Sequence, residues 1–452
     1  KEIFMPTESQ ILKLDAISES LNSGAMLKAK LILNGLHPAE IARLLESSPS
    51  RQRRLIWEML DHKNDGEVLL EVGEEVRNNL MESMDDESLL AATKGLDVDD
   101  LADLLDELPE TVVKQALKGM DYQYRTRLEG VMNYDENTAG GLMNTDTITI
   151  RPDVTLDVVL KYLRLRKEMP QNTDNIIVVD RYNHYLGTLS VTALLCADPE
   201  KTVSESMDND YISINANTLA NEVTNIFEDR DLVSAPVVDK NNILLGRITI
   251  DDVVDVIREE SEHTVLNMAG LTDEEDIFAP VLPSTRRRAI WLGINLLTAL
   301  IASGVISLFQ ETIEQVVALA VLMPIVASMG GIAGSQTLTL VIRGIALGNI
   351  SSTNSKSLLV KEISIGLLNS LLWACVIGVL SSYWFNNYLI GVVIGIAMIA
   401  NLGFAALSGV LIPIVLKRIG VDPALGGGVI LTTITDVIGF SSFLALGTIF
   451  LL

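Results

Sequence analysis

The spacing of hydrophobic and polar residues divides the chain into three regions. Up to about residue 133, apolar positions recur three and four residues apart, which predicts amphipathic helices. From 136 to 261, short β-branched runs alternate with turn residues and helix-period segments, which predicts a mixed α/β region. Beyond residue 288, five long apolar stretches follow one another, and each predicts a helix that crosses a membrane.

The helical region contains an internal repeat. The segment "GLHPAEIARLLESSP" (35–49) recurs as "GLDVDDLADLLDELP" (95–109), 60 positions later (95 − 35). A repeat of this kind is typical of stacked helical pairs. We therefore predict an all-α superhelical N domain over residues 1–133.

A second repeat organises the middle of the chain. The segment "VVDRYNHYLGTLSV" (178–191) matches "VVDKNNILLGRITI" (237–250), 59 positions later (237 − 178), and Gly187 aligns with Gly246. Each copy combines strands, turns and a helix in the same order. This tandem pattern resembles a pair of cystathionine-β-synthase (CBS) domains, an α/β fold. The two domains are predicted at 134–200 and 201–261.

The CBS resemblance also implies a ligand. Such pairs often bind adenine nucleotides through a Ser/Thr-x-x-Asp motif after the last strand. The second copy supplies Thr249 and Asp252 in "TIDD", whereas the first copy reads "SVTA" and lacks the acid. ATP is therefore expected as a regulatory ligand at Thr249 and Asp252. Alternatively, Thr249 caps the following helix.

The apolar stretches predict an all-α transmembrane domain with five helices over residues 286–452. Lys and Arg precede the first stretch and lie in the second and fourth links, while the first and third links have none. By the positive-inside rule, the N-terminus lies in the cytoplasm and the C-terminus outside. The five stretches are 289–310, 316–342, 363–385, 388–416 and 424–452.

Charge divides the chain at the same place. The net charge is −25, and the residues after Arg288 carry five basic and five acidic side chains (5 − 5 = 0), so the excess lies in 1–288. Such an acidic surface disfavours nucleic acid as a partner. Cys196 and Cys375 fall in different regions, which indicates a reducing compartment without a disulfide framework. No catalytic constellation is recognisable and the histidines are scattered, so an enzyme is not expected.

An acid within the fifth apolar stretch is the main candidate for cation binding. Asp436 costs about 2.5–3.5 kcal/mol on membrane-insertion scales. It shares one helix face with Gly428 and Thr432, and no basic residue lies at the same depth. This pattern favours a mobile cation as its partner. The alternative is a structural acid that is hydrogen-bonded to Asn369 or Asn401.

The second apolar stretch has an unusual composition. It reads "LMPIVASMGGIAGSQTLTL" (322–340), with Pro and Gly beside Ser and Gln. This pattern predicts an interrupted helix whose backbone carbonyls face an ion. The alternative is close helix packing through small residues.

Two acidic runs in the cytoplasmic part predict a sensor for divalent cations. Residues 85–110 and 251–276 each contain ten Asp or Glu residues and one basic residue. Two carboxylates about 6 Å apart repel by roughly 3 kcal/mol at an effective dielectric of 20, so surfaces of this kind need cations to approach each other. Mg²⁺ accepts sites with one or two carboxylates and water. The alternative is a pair of solvated helix faces.

Four motifs accompany this order of regions. They are "DENTAGGLM" (135–143), "GGIAGSQ" (330–336), "GVDPAL" (420–425) and "TTITDVIGF" (432–440). The order of the regions and these motifs resemble the MgtE family of magnesium channels. The resemblance implies a homodimer in the lipid bilayer of a bacterial inner membrane, with a pore on the two-fold axis that is lined by the second and fifth spans. It also implies a connecting (plug) helix, predicted at 262–285, and closure by intracellular Mg²⁺.

The same resemblance implies the ion-binding residues. His263 stands where an acid is expected, and one form of the family has Asn where Ile332 and Ser335 stand. The pore metal is expected at Asp436, Thr432, Gly331 and Ser335. Regulatory metals are expected at Asp97, Asp99, Asp252, Asp255, Glu259, Glu260 and Asp422.

The sequence therefore predicts a Mg²⁺-selective channel that imports Mg²⁺ and is closed by it. One alternative is an exchanger that couples divalent cations to Na⁺ or H⁺, which flux measurements with and without gradients distinguish. Another is a membrane-tethered metal or nucleotide sensor that transports nothing. In that case, removal of Asp436 leaves metal uptake unchanged.

Overall fold

The chain forms two compact units. The first comprises Lys1–Ser261 with Glu274–Ala279, and the second comprises Glu262–Asp273 with Pro280–Leu452. The order of an all-α region, a paired α/β region and five apolar helices confirms the predicted fold class. The computed structural model describes residue 17 and residues 25–61, 63–166, 169–170, 172–271, 276–351 and 353–452.

Short helices build the described part of the N-terminal region. The 60-residue repeat corresponds to α2 and α7, which begin at Pro38 and Val98 (98 − 38 = 60) and bury leucines at equivalent positions. Helix α2 begins with a capping box, in which the Glu40 carboxylate accepts a hydrogen bond from the His37 N–H. The helices are α1 (Met26–Leu33), α2 (Pro38–Glu46), α3 (Ser50–Met59), α4 (Asp65–Glu71), α5 (Glu74–Met81), α6 (Asp86–Ala92), α7 (Val98–Glu107), α8 (Glu110–Gly119) and α9 (Tyr122–Val131).

Two equivalent α/β domains follow. In each three-stranded sheet the first two strands are parallel and the last two antiparallel, and the register shifts at the same place, Val178/Val179 in one and Val237/Val238 in the other. The strand pairs begin 59 residues apart (234 − 175 and 244 − 185), as the repeat predicts. The elements are β1 (Thr149–Ile150), α10 (Leu156–Arg166), β2 (Asn175–Val179), β3 (Tyr185–Ser190), α11 (Val191–Cys196), α12 (Val203–Ser206), β4 (Ile214–Asn215), α13 (Ala220–Arg230), β5 (Ser234–Val238) and β6 (Leu244–Thr249).

The two domains exchange their N-terminal arms. Asn144, which precedes β1, pairs with Arg247 in β6, and Asp208, which precedes β4, pairs with Thr188 in β3. The backbone of each arm approaches the strand of the other domain closely, which explains why β3 and β6 each have a glycine at this point. A Cβ on Gly187 would lie 2.3 Å from the Asp208 carbonyl oxygen, and the equivalent glycine of β6 meets the Asn144 carbonyl in the same way.

The predicted connecting helix over 262–285 is wrong in extent. Helix α14 (Ile250–Met268) ends within this range, and the next described helix begins only at Val281. Gly270 ends α14 in the left-handed conformation (φ 72°), and the N–H groups of Gly270 and the next residue bond back to the last helical turn. This Schellman motif satisfies carbonyls that a longer helix would otherwise satisfy. Residues 272–275 of the predicted helix lie outside the described residues.

A buried ion pair fixes the segment after α14 within the first unit. The Arg53 guanidinium donates two hydrogen bonds to the Asp276 carboxylate, at 2.7 and 3.0 Å, and a third to the Leu45 carbonyl oxygen. Only 4% of the Arg53 side chain and 3% of the Asp276 side chain are exposed. The Asp276 N–H donates to Glu75 (2.8 Å). Residues 276–279 are therefore held by the N-terminal helices.

The second unit contains the five apolar helices, α15, α17, α18, α19 and α20. Helix α19 is the most deeply buried and packs against α17, α18 and α20. The first long helix begins eight residues before the predicted start (289 − 281), so that its three arginines lie within its first eight residues. The helices are α15 (Val281–Ser307), α16 (Gln310–Gln315), α17 (Ala318–Ala346), α18 (Ser355–Trp384), α19 (Tyr388–Arg418) and α20 (Pro423–Leu451).

Candidate cation sites

Helices α17 and α20 pack against each other through glycines. A Cβ on Gly334 would lie 2.9 Å from the Leu431 side chain, and one on Gly427 would lie 3.2 Å from Leu338. Both leucines are buried. The order of these contacts makes the two helices antiparallel. Glycine at the crossing lets the two backbones approach closely, as is common between membrane helices.

The predicted pore residues lie beside this packed face, at positions that the single chain leaves open. Gly428, Thr432 and Asp436 follow each other at four-residue intervals on α20, and none of them is buried. Ser335 on α17 is exposed, and no atom lies within 4 Å of a Cβ built on Gly331. Because the helices are antiparallel, Gly331 and Ser335 lie at about the depth of Thr432, with Asp436 one turn away.

Asp436 has no hydrogen-bond partner in another span among the described residues. Asn401 donates its amide hydrogen to the Val326 carbonyl oxygen instead (2.8 Å), and Asn369 is exposed on α18. The structure thus gives no support to the alternative in which Asp436 is a hydrogen-bonded structural acid. The Thr432 hydroxyl donates to the Gly428 carbonyl (2.7 Å), so its remaining lone pairs are available as acceptors.

The expected interruption of the second span is wrong. Helix α17 runs continuously from Ala318 to Ala346 through all its glycines. Glycine has a low helix propensity, but it is tolerated here because Gly330 and Gly334 pack against side chains of α19 and α20. These packing contacts offset the low propensity. The backbone carbonyls at 330–336 are therefore engaged in helical hydrogen bonds.

In the first unit, two predicted regulatory residues meet at an interface between α7 and the start of α14. Burial, together with the neighbouring Asp252 carboxylate, raises the pKa of Asp99 to about 8. Burial and the adjacent Asp251 raise the pKa of Asp252 to about 7. Asn144 of the exchanged arm donates to Asp99 Oδ1 (3.2 Å). Acidic groups from regions far apart in the sequence thus share one partly dry interface.

The structure adds residues that the sequence analysis did not select. Burial and nearby carboxylates raise the pKa of Asp100 to about 6 and that of Asp103 to about 7. The carboxylates that act on them include Asp255 and Glu136. On α7, Asp103 lies four residues after Asp99 and three residues after Asp100. Residues three and four apart are neighbours on a helix surface, so this spacing could have identified the three acids as one cluster.

The remaining predicted regulatory residues are less enclosed. Asp97 is an exposed N-cap residue of α7, and Glu260 is exposed on α14. Partial burial raises the pKa values of Asp255 and Glu259. Asp422, in the second unit, caps α20 through the Ala424 N–H (2.9 Å) and accepts a hydrogen bond from Asn267 (2.8 Å).

The donor set of the first unit suits Mg²⁺, but it is incomplete in a single chain. Carboxylate oxygens are the ligands that Mg²⁺ prefers, and burial and neighbouring carboxylates raise the pKa values of Asp99 and Asp252. Within the described ranges, no three Asp, Glu, His or Cys side chains converge on a point where a metal could bind. The arrangement fits ions that keep most of their water and contact one or two carboxylates.

The two residues expected to bind a nucleotide are engaged locally. The Thr249 N–H and hydroxyl donate to Asp252 Oδ2 at 3.2 and 3.1 Å, and the hydroxyl also contacts Asp251. Asp252 is the third residue of α14, so the bond from the Thr249 N–H to its carboxylate is one half of a capping box, in which the Thr249 hydroxyl itself donates to the carboxylate. ATP binding at Thr249 and Asp252 stays a prediction, and it would have to compete with this cap.

Three family models match successive parts of the chain. The model of the MgtE intracellular N domain matches residues 36–137, and the CBS domain model matches 139–200 and 203–259. The MgtE model, described as a divalent cation transporter, matches residues 323–446.

Similar proteins extend over nearly the whole chain. The magnesium transporter MgtE of Thermus thermophilus is 29% identical over 441 residues, which cover 96% of this chain and 98% of the relative. The magnesium transporter MgtE of Bacillus subtilis is 27% identical over 431 residues, covering 95% and 96%. Among solved structures, the cytosolic domain of the Mg²⁺ channel MgtE in complex with ATP is 28% identical, with a TM-score of 0.48, covering 54% of this chain and 99% of that structure.

Proposed function

Because the chain belongs to the MgtE family of divalent cation transporters, we propose that it conducts Mg²⁺ across a membrane along a path lined by α17 and α20. One observation carries the proposal. Thr432, Asp436 and Ser335 stay uncovered on two helices whose neighbouring faces are closed by Leu and Gly. An intramembrane carboxylate without a cationic partner is costly, and a permeating cation offsets that cost.

A second copy of the chain completes the pore in this proposal. The open polar positions need a cover that lipid does not provide, because hydrocarbon cannot satisfy a carboxylate or a hydroxyl. Two-fold symmetry would place one Asp436 opposite another. At about 6 Å the two carboxylates repel each other by roughly 3 kcal/mol at an effective dielectric of 20. A divalent ion between them makes the net electrostatic interaction attractive.

The ion passes with much of its water shell. Mg²⁺ dehydrates reluctantly, so the lining acts mainly on coordinated water molecules. The Asp436 carboxylate accepts hydrogen bonds from these waters, and so does Thr432, whose own proton is held by the Gly428 carbonyl. Gly331 adds no side chain, which leaves room for a hydrated ion.

The acidic interface of the first unit regulates the pore in this proposal. The N-terminal part and the CBS pair lie in the cytoplasm of a bacterial cell, Mg²⁺ is imported, and the C-terminus lies outside. Cytoplasmic Mg²⁺ replaces protons on Asp99, Asp252 and their neighbours and so holds α7 against α14. Differential binding to the compact and open arrangements shifts the population towards closure.

The test is Mg²⁺ flux into liposomes that contain the full chain. Asp436→Asn keeps the shape of the side chain and removes its charge, so uptake should fall at least about 100-fold, or 2.7 kcal/mol. Glu314→Gln is the control, because Glu314 lies on the short helix α16 and interacts with Gln310 (2.8 Å). This variant should transport normally.

Two results would contradict the proposal. Normal uptake by Asp436→Asn would remove Asp436 from the pathway. Uptake that requires a Na⁺ or H⁺ gradient would replace the channel with a coupled exchanger.

A further inference from the structure

A buried amide lies at the crossing of α17 and α20. The Asn401 side chain extends from α19 and is 0% exposed. Its Nδ2 donates to the Val326 carbonyl oxygen of α17 at 2.8 Å. Among the described residues, its Oδ1 has no hydrogen-bond partner. Burying a polar group without a hydrogen-bond partner costs about 1–3 kcal/mol, and an apolar side chain would avoid this cost. The presence of the amide therefore needs an explanation other than packing.

The same amide occupies the place of a side chain on both neighbouring helices. A Cβ on Gly330 would lie 2.3 Å from Asn401 Nδ2, and a Cβ on Gly439 would lie 2.7 Å from it. One polar group from α19 therefore contacts the backbone of α17 and that of α20. A side chain at either glycine would push it away.

These contacts lie beside the open polar positions. Gly330 precedes Gly331, and Gly439 follows Asp436 by three residues. A helix rotates by about 100° per residue, so rotation of α17 by one residue would replace Gly331 with Gly330 or Ile332 at the pore. The hydrogen bond to Val326 opposes both this rotation and a slide along the axis, because the carbonyl oxygen is a fixed point on α17.

We propose that Asn401 is a positioning residue for cation passage, which aligns Gly331 and Ser335 on α17 with Asp436 on α20. Asn401 does not touch the ion; it acts through the register of the two helices that do. Its role in conduction rests on the proposed function. The hydrogen bond adds a directional contact to the apolar packing of Leu against Gly between these helices.

The decisive variant is Asn401→Leu in the full chain, reconstituted in liposomes. Leu has the same number of side-chain heavy atoms, branched at Cγ as in Asn, and lacks the donor, so the variant loses the hydrogen bond to Val326. The half-saturating Mg²⁺ concentration should rise about five- to tenfold, which corresponds to about 1–1.4 kcal/mol, and the Mg²⁺/Ca²⁺ flux ratio should fall. Asn369→Leu is the matched control, because Asn369 is exposed on α18. It should change neither quantity.

A second variant disturbs the same contact without altering Asn401. Gly330→Ala places a methyl group where the amide lies, so it should displace the amide and shift half-saturation and selectivity in the same direction. A merely structural role would lower the amount of folded protein and the maximal flux, but not these two quantities. If either variant folds and keeps wild-type half-saturation and selectivity, the inference is wrong.

The outcome also separates this inference from the proposed function. If Asp436→Asn transports Mg²⁺ normally, the pathway itself is wrong. If Asp436→Asn abolishes transport while Asn401→Leu and Gly330→Ala behave like wild type, the pathway stands and only the role of Asn401 falls.

Discussion

At the scale of single residues, Asp99 shows why protons and divalent cations would compete at the proposed regulatory site. Its carboxyl group is buried beside Asp252, so desolvation and like charge both favour the protonated form. A cation relieves the repulsion and a proton removes one of the charges. Either ligand lets α7 stay against the start of α14.

Acidification should therefore stabilise this interface when no divalent ion is present. The pKa values of about 8 for Asp99 and about 7 for Asp252 exceed the usual value near 3.9, so the docked state binds more protons. Its stability should fall as the pH rises from about 5 to about 8. Hydrogen exchange of α7 in EDTA, corrected for the intrinsic pH dependence, measures the effect, and saturating Mg²⁺ should flatten it.

Two variants sharpen this experiment. Asp99→Asn removes one titrating group and should reduce the pH dependence. Asp86→Asn, at an exposed position of α6, should leave it unchanged. Protection of α7 that is identical at pH 5 and pH 8 would contradict the assignment.

At the scale of helices and strands, the sequence predicts those elements whose residue pattern is periodic or repeated. The five apolar stretches and both repeats were predictable because their patterns extend over many residues. The second span was misread because Gly330 and Gly334 weaken a helix only where nothing fills the space beside them. The connecting helix was overextended because a left-handed Gly270 has the same sequence signature as a tolerated helical glycine.

The Arg53–Asp276 pair gives a prediction at this scale. Arg53→Leu leaves the buried Asp276 carboxylate unpaired, which should cost about 3–5 kcal/mol locally and release residues 276–279. Limited proteolysis of the full chain should then cut this segment at least about tenfold faster. Arg51→Leu, at an exposed position of the same helix α3, is the control.

A double variant separates loss of the pair from loss of packing. Arg53→Leu combined with Asp276→Leu removes both charges, so cleavage should return towards the wild-type rate. A double variant that is cut faster than either single variant would show that the ion pair does not hold the segment.

At the scale of the whole molecule, the candidate regulatory site could be predicted only in part. The acidic runs are visible in the sequence and mark the two segments that contain Asp99 and Asp252, and the family resemblance selected these two residues. They did not reveal Asp103 with Glu136, since those residues meet only when α7 docks against the residues that lead into the first CBS domain. The proposed pore residues followed from motifs, whereas Asn401 required the crossing of three helices.

Removal of the N-terminal domain should change the threshold of closure. Without residues 1–133, α7 is absent and Asp252 loses its acidic neighbour Asp100. Closure should then require a higher Mg²⁺ concentration, because fewer sites contribute to the population shift. Current recorded while cytoplasmic Mg²⁺ is titrated gives the midpoint. An unchanged midpoint would make the acidic interface a solvated surface only.

A combined variant tests whether one switch is involved. Neutralisation of Asp252, Asp255, Glu259 and Glu260 together should raise the midpoint in the same direction. Added to the deletion, it should produce less than the sum of the two shifts, because both changes remove the same interface. Full additivity would mean two independent sensors.

The exchanged arms of the CBS pair determine how this part of the chain can be synthesised. The arm at Asn144 leaves the ribosome about 100 residues before its partner Arg247 (247 − 144 = 103). The first sheet likewise cannot pair with Asp208 until that residue has been synthesised. Neither sheet is complete until the second repeat has emerged. A nascent chain cut between the repeats therefore exposes an unpaired strand edge, which favours aggregation. The two repeats are one folding unit, although they are two domains by sequence.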